Sequence, residues 1–191
     1  TTAMVMAAGL GKRMMPLTAD RPKPLVTVAG KPLIDHCLDR LSGAGVKRAV
    51  VNVHYLAEMM EAHLAAHSHG LEIAISDERA LLLETGGGLI KAKPLIDADP
   101  FYCVNSDNLW TDGDTNALVR LAERWDDEAM DFLLLLIPFD QANNHTGKGD
   151  FHLSSEGRLI RRSPEEERGE FVFTGIQLIS QRALTDAPEG P

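Results

Sequence analysis

Ala3-Met4-Val5-Met6-Ala7-Ala8-Gly9-Leu10-Gly11-Lys12-Arg13-Met14 reads as a short apolar strand that breaks into a glycine loop bearing fixed positive charge, and Pro22-Lys23-Pro24 adds a further cation after a proline-bounded return. Gly9 and Gly11 have no Cβ, so the loop can take backbone angles that other residues resist and bring N–H groups close to phosphate oxygens. Lys12, Arg13 and Lys23 supply the cations that such oxygens attract.

Two common phosphate loops do not fit. The Walker pattern needs Gly-x-x-x-x-Gly-Lys-Ser/Thr, which the sequence lacks. The dinucleotide fingerprint Gly-x-Gly-x-x-Gly starts correctly at Gly9 and Gly11, but Met14 stands where the third glycine should let helix and strand pack closely. The loop and its cations therefore point to a nucleoside triphosphate rather than a dinucleotide.

Outward from this loop, strand-like and helix-like segments alternate, which predicts a mostly parallel sheet with helices on its faces. Strands are predicted over 3–8, 47–53, 71–76 and 100–105. A helix over about 32–43 repeats Leu33, Ile34, Cys37, Leu38 and Leu41 at helical spacing, and Gly43 and Gly45 supply its stop. A second over 55–66 should place Leu56, Met59, Met60, His63 and Leu64 on one side. A third runs from Thr85 to Lys93, where Pro94 argues for its end. A helix over about 115–125 leads to the run Phe132–Ile137, whose length suits a strand buried on both faces. Shorter strands follow over 149–153, 158–161 and 171–179, with the charged segment 163–169 a solvated loop. Parallel α/β sheets bind ligands at the carboxyl ends of their strands. Gly9–Arg13, Asn52–His54, Asp77–Thr85 and Asn105–Asp107 should therefore meet at one crevice.

At 191 residues, with 44% apolar and 25% charged, the composition suits one well-packed domain over 1–191. No apolar run approaches the ~20 residues that span a bilayer, so the expectation is a cytoplasmic protein with no membrane partner. Acidic residues outnumber basic ones 28 to 19, for a net charge of −9, which argues against a nucleic-acid surface. The cations at 12, 13, 21 and 23 crowd into one loop, an arrangement that fits a small anion better than a polymer. Cys37 and Cys103 sit in apolar stretches without a Cys-x-x-Cys spacing and read as buried reduced thiols.

Asn105-Ser106-Asp107 puts a carboxylate at the crevice rim. A nucleoside triphosphate is a polyanion, so a hard cation is expected there, and Mg²⁺ takes one or two protein carboxylates together with phosphates and water. Asp107 is the first candidate ligand. Leu83-Glu84-Thr85-Gly86-Gly87-Gly88 opens a helix with three glycines, each costing ~1 kcal/mol relative to alanine in a helix interior. A base or ribose laid on bare backbone would explain them, and so would a close helix–sheet contact. His63, His67 and His69 lie in no recognised metal-ligand spacing and are expected to interact with the helix dipole and water. Trp110-Thr111-Asp112-Gly113 reads as a turn after the Asp107 strand.

Taken together, the glycine loop, Pro22-Lys23-Pro24, Leu83–Gly88, Asn105–Asp107 and His145-Thr146-Gly147-Lys148-Gly149-Asp150-Phe151 resemble the signature of sugar-phosphate nucleotidyltransferases. Their order is that of the bacterial N-acetylmuramate α-1-phosphate uridylyltransferase branch. The resemblance implies an α/β fold with a Rossmann-like mixed, mostly parallel sheet flanked by helices, of the nucleotide-diphospho-sugar transferase type. It implies Mg²⁺-dependent transfer of a uridylyl group from UTP to a muramic-type sugar-1-phosphate in cell-wall recycling. GTP- or CTP-dependent transfer, or a regulatory homologue that binds without turnover, are the alternatives. Carried over by position, Arg13 and Lys23 would be catalytic. Ala7, Ala8, Gly9, Gly11, Lys12, Arg13, Glu84 and Gly86 would bind the nucleotide, Asp107 would hold Mg²⁺, and Gly149, Thr174 and Gly175 would lie near the sugar. Members of the family carry a second metal-binding aspartate in a Trp-x-Asp-x-Gly-Thr motif, absent through Pro191. The expectation is a chain lacking its C-terminal segment, with Asp112 and Asp150 the candidates should that role be filled within it. Oligomeric state is not legible.

Overall fold

The computed structural model describes residues 1–143 and 145–185, and within them the chain forms two compact units, residues 1–133 with the segment from Gln177, and Leu134–Ile176. The first unit begins with strand β1 (Thr2–Met6), followed by the short strands β2 (Thr27–Val28) and β3 (Lys31–Pro32), an antiparallel ribbon that sequence periodicity does not mark. Helix α1 (Leu33–Gly43), strand β4 (Arg48–Val53), helix α2 (Ala57–Ala66), strand β5 (Glu72–Asp77), helix α3 (Thr85–Ala92), strand β6 (Phe101–Asn105) and helix α4 (Ala117–Glu123) complete the alternation.

The sheet order β5-β4-β1-β6 follows from two crossovers to one side of β1 and a return to the other. All three pairings are parallel. This reversal beside β1 makes a crevice at the carboxyl ends of β1 and β6, because the loops that leave them turn apart. Thr2 to Val5 are all buried, as a central parallel strand covered on both faces requires. Met4 lies in register with Val50 on one side and Cys103 on the other, and these three pack against Leu89, Ala92 and Ile96 from α3 and its extension. Helix α1 buries Leu33, Ile34, Cys37, Leu38 and Leu41, the stripe its spacing predicts.

Helix α2 departs from its predicted face. It buries Ala57, Met60 and Leu64, whereas Met59 is 42% exposed and Leu56 precedes the helix with a positive φ. The helix starts later than the apolar pattern suggests, and the face it turns to the core is centred on Ala57, Met60 and Leu64, which leaves Met59 outward. Two of the three histidines also differ from expectation, whereas His67, at the C-terminal end of α2, donates from Nδ1 to the His63 carbonyl at 3.1 Å, the helix-end contact expected of it. His63 Nε2 meets the buried carboxylate of Asp35 at 2.7 Å and His69 Nδ1 meets Asp39 at 2.6 Å, so carboxylates of α1 rather than water take up these rings. Among the described residues, no group of three or more His, Cys, Asp or Glu is arranged to hold a metal ion.

Strand β7 (Phe132–Pro138) leads into the second unit, where β8 (Phe151–Leu153) pairs antiparallel with β9 (Leu159–Arg161) and with β10 (Phe171–Ile179). Parallel pairing in the first unit and antiparallel pairing in the second give the mixed, mostly parallel α/β architecture the sequence predicts. Full burial of β7 is not found. Residues 133–137 are half-buried and Phe132 is 48% exposed. Strand β7 lies off the main path of the sheet and pairs with β10, and an apolar run does not say how many of its faces are covered.

Candidate active site

Four strand ends and the return loop line a cleft of about 420 Å³ in the first unit, a volume typical of small-molecule sites. Ala7, Ala8, Gly9 and Arg13 come from the loop after β1, and Lys23 and Pro24 from the return. Asn52 comes from β4, Leu82 to Thr85 from the segment after β5, and Asn105, Ser106 and Asp107 from the end of β6. The four segments expected to converge do converge.

The glycine loop is built by a fold-back. Gly11 has φ +64°, Thr18 Oγ1 donates to its carbonyl at 2.9 Å, and a Cβ on Gly11 would lie 2.9 Å from Thr18 Cγ2 and 3.0 Å from Lys23 Cβ. Gly11 therefore allows the loop to close against the segment that delivers Lys23. The Tyr55 hydroxyl donates to the carbonyl of Ala19 at 3.0 Å and ties that segment to the start of α2. Gly9 has no positive φ, and a Cβ placed on it would meet nothing within 4 Å, so packing gives it no reason to be glycine.

Pro22 sets the start of a 3-10 turn at Lys23, whose ammonium forms an ion pair with Asp107 in the cleft. Arg13 lines the same cleft and is exposed, as is its neighbour Lys12. Asp107 also acts on the helix behind it. Burial, and then the charge of Asp107, push the Cys37 thiol up to about 12. Burial pushes Cys103 up to about 12 as well, and both thiols are free.

Behind the cleft lies a polar network that the sequence does not disclose. The N–H groups of Ala7 and Ala8 donate to Asn52 Oδ1 at 2.6 and 3.2 Å. Asn52 Nδ2 donates to Glu78 Oε1 at 2.8 Å, and the Leu83 N–H donates to Glu78 Oε2 at 3.2 Å. Asn52 is 1% exposed and Glu78 fully buried. A polar residue inside the apolar stretch Ala49–Val53 is a visible signal for Asn52. Glu78 gives none, because adjacent charged residues Asp77 and Arg79 make it look like one more surface group.

The glycine run at the start of α3 divides into two roles. Gly86 is exposed with open space around it, whereas a Cβ on Gly88 would lie 3.0 Å from Glu78 Oε1, 3.2 Å from Met6 Cε and 3.3 Å from Asn52 Nδ2. Gly88 is thus a packing glycine and Gly86 is bare backbone beside the Glu84 and Thr85 wall.

Asp112 accepts from Arg40 Nη1 at 2.8 Å and from the Ala117 N–H at 2.8 Å, holding the turn before α4. In the second unit, Asp150 Oδ2 accepts from the Phe173 N–H at 2.8 Å. Both carboxylates serve backbone structure. Gly149, with φ +77°, passes so close to Gly169 that a Cβ would lie 2.8 Å from its carbonyl oxygen. Thr174 Oγ1 donates to the Leu135 carbonyl at 2.8 Å, and Gly175 has φ +73°. Among the described residues, no helix is long and apolar enough to cross a membrane.

Comparison with known proteins agrees with this geometry. Residues 2–173 match the nucleotidyl transferase family. The chain is 46% identical over 192 residues to the N-acetylmuramate alpha-1-phosphate uridylyltransferase of Caulobacter vibrioides, covering 99% of this chain and 79% of that protein. It is 40% identical over 176 residues to the protein of the same name from Neisseria meningitidis serogroup B, covering 91% and 73%. The crystal structure of HddC from Yersinia pseudotuberculosis complexed with GMP-PN superposes with a TM-score of 0.79 at 20% identity, over 98% of this chain and 80% of that one, and shares the fold. By its sequence along almost its whole length, the chain belongs to the nucleotidyl transferase family.

Proposed function

We propose that this chain condenses UTP with N-acetylmuramic acid 1-phosphate to give the uridine diphosphate sugar and pyrophosphate, a reaction of cell-wall sugar recycling. The observation that carries this reading is the convergence of Arg13, Lys23 and Asp107 on one polar cleft that Gly9 of the glycine loop and Leu82–Thr85 also line. The relatives at 46% and 40% identity supply the choice of base and sugar.

An oxygen of the sugar-1-phosphate attacks the α-phosphorus of the triphosphate, and the bond from that phosphorus to the bridging oxygen breaks, so that pyrophosphate leaves with the electron pair. The attacking oxygen is already anionic, so no side chain has to remove a proton. Positioning and neutralisation of charge then make up the catalysis. Arg13 and the backbone of Gly9 and Gly11 hold the triphosphate, and Lys23 neutralises charge near the reacting phosphorus. Glu84 and Gly86 border the base and ribose. Asp107 offers hard oxygen donors at the cleft wall, which fits Mg²⁺ bound through one carboxylate together with phosphate oxygens and water. When bound, the ion would polarise the α-phosphate and offset the charge that develops there.

The deciding experiment measures pyrophosphate release with UTP, CTP and GTP, each against a panel of sugar-1-phosphates in Mg²⁺. Release with UTP and N-acetylmuramic acid 1-phosphate at least about tenfold faster than with any other pair is the expected result. Preference for a different pair, or binding of a nucleotide without turnover, would replace the proposal with that activity.

A further inference from the structure

We propose that Glu78 is a positioning residue for the nucleotide, acting through Asn52 and Leu83 to lock the phosphate-side and base-side walls of the cleft into one geometry. The inference rests on the reading of that cleft as a nucleotide site.

Donors and acceptors fix the direction of the chain of contacts. Two backbone N–H groups, from Ala7 and Ala8, face Asn52, so its oxygen must point toward them and its Nδ2 must point away. That amide then donates to Glu78, and the Leu83 N–H donates to the other carboxylate oxygen. Only a group that accepts at both ends can occupy position 78. A glutamine side chain has one acceptor, and its Nε2 would face either Asn52 Nδ2 or the Leu83 N–H, donor against donor. The backbone carbonyl of Glu78 is engaged as well, accepting from His54 Nδ1 at 2.7 Å, so the residue cannot shift to relieve a mismatch. A fully buried carboxylate answered by neutral donors is expensive compared with an apolar side chain, and such a cost suits a role in geometry rather than in stability. What it joins is specific. Ala7 and Ala8 precede the glycine loop, Leu83 belongs to the segment after β5, and all three line the cleft.

The test uses Glu78→Gln and the swapped pair Asn52→Asp with Glu78→Gln. In the swap, the carboxylate moved to position 52 accepts from the Ala7 and Ala8 N–H groups and from the amide moved to position 78. The oxygen of that amide accepts from the Leu83 N–H, so every donor is satisfied with the same net charge. Glu78→Gln should raise KM for the triphosphate about tenfold with KM for the sugar phosphate within about twofold of wild type, and should speed exchange of the Leu83 amide in the free protein about tenfold. The swap should restore Leu83 protection, the deciding readout for that variant because its charge moves toward the phosphates. A Glu78→Gln protein that melts lower but keeps its triphosphate KM, or a swap that leaves Leu83 unprotected, would overturn the inference. If Glu78→Gln alone fails to fold, the swap must fold with Leu83 protected for the inference to stand. Absence of nucleotide binding by the wild-type protein would instead remove the reading of the cleft, and the positioning role with it.

Discussion

Lys23 and Asp107, 84 residues apart in the chain, neutralise one another in the cleft. Each is a group that a magnesium–polyphosphate complex would draw away from the other, the ammonium to phosphate and the carboxylate to the cation. Their side chains are 25% and 30% exposed, so solvent screens the pair and its net worth is at most about 1 kcal/mol. The cleft thus holds its opposite charges ready at little cost, and ligand binding exchanges one set of ionic contacts for another.

Competition at Asp107 can be measured directly. Lys23→Met keeps most of the stem and removes the charge, so Mg²⁺ binding to the free protein should strengthen several-fold by calorimetry while turnover falls by about 10²-fold or more. Asp107→Asn should abolish Mg²⁺-dependent turnover and leave weak triphosphate binding through the loop. Equal Mg²⁺ affinity in wild type and Lys23→Met would show that the ammonium does not hold the carboxylate.

Arg13 is exposed at the cleft and contributes little packing. Arg13→Ala should lower kcat by about 10²–10³, the usual cost of deleting one preorganised donor, and change stability by less than about 1 kcal/mol. Parallel kinetics and urea unfolding check this, and a loss of activity that tracks a loss of folding would make the residue structural.

Glycines separate into those the fold needs and those a ligand needs. Gly11→Ala meets both a positive φ and Thr18 and Lys23, and should cost about 1–2 kcal/mol or more along with activity. Gly88→Ala should also destabilise, because Glu78 and Asn52 are buried and hydrogen-bonded and cannot yield. Gly9→Ala and Gly86→Ala meet nothing and should leave stability equal or raised by up to about 1 kcal/mol, yet weaken triphosphate binding. Calorimetric titration beside thermal melting distinguishes the two sets. Full triphosphate affinity in Gly9→Ala would remove close backbone approach from the site.

Burial holds Cys37 and Cys103 protonated up to about 12, above the value near 9 for a free thiol. Between those values the unfolded chain has released two protons that the native chain retains, so stability is unaffected below pH 9 and falls as pH rises from 9 toward 12. Denaturant midpoints at about pH 7.5 and about pH 10.5 should show this, with a shallower fall in Cys37→Ala. A thiol reagent at about pH 8 should label neither cysteine in the native protein and both after unfolding.

Local sequence determined the elements and their direction. Apolar spacing encodes helix or strand within a few residues, and parallel strands joined by helices leave their carboxyl ends on one side, so the segments after β1, β4, β5 and β6 had to meet. Gly9, Arg13, Glu84 and Asp107 were placed at the crevice for that reason, and Lys23 by the Pro22-Lys23-Pro24 motif. Tertiary structure decided which side chains face one another. That Lys23 finds Asp107, that Glu78 lies buried against Asn52 and Leu83, that Gly88 packs while Gly86 stays open, and that Met59 turns outward all depend on how α2, α3 and the loops settle on the sheet. Periodicity fixes the path of a backbone through its own neighbours. The partner of a polar side chain is whatever the rest of the chain brings across the gap, and no window of sequence contains it.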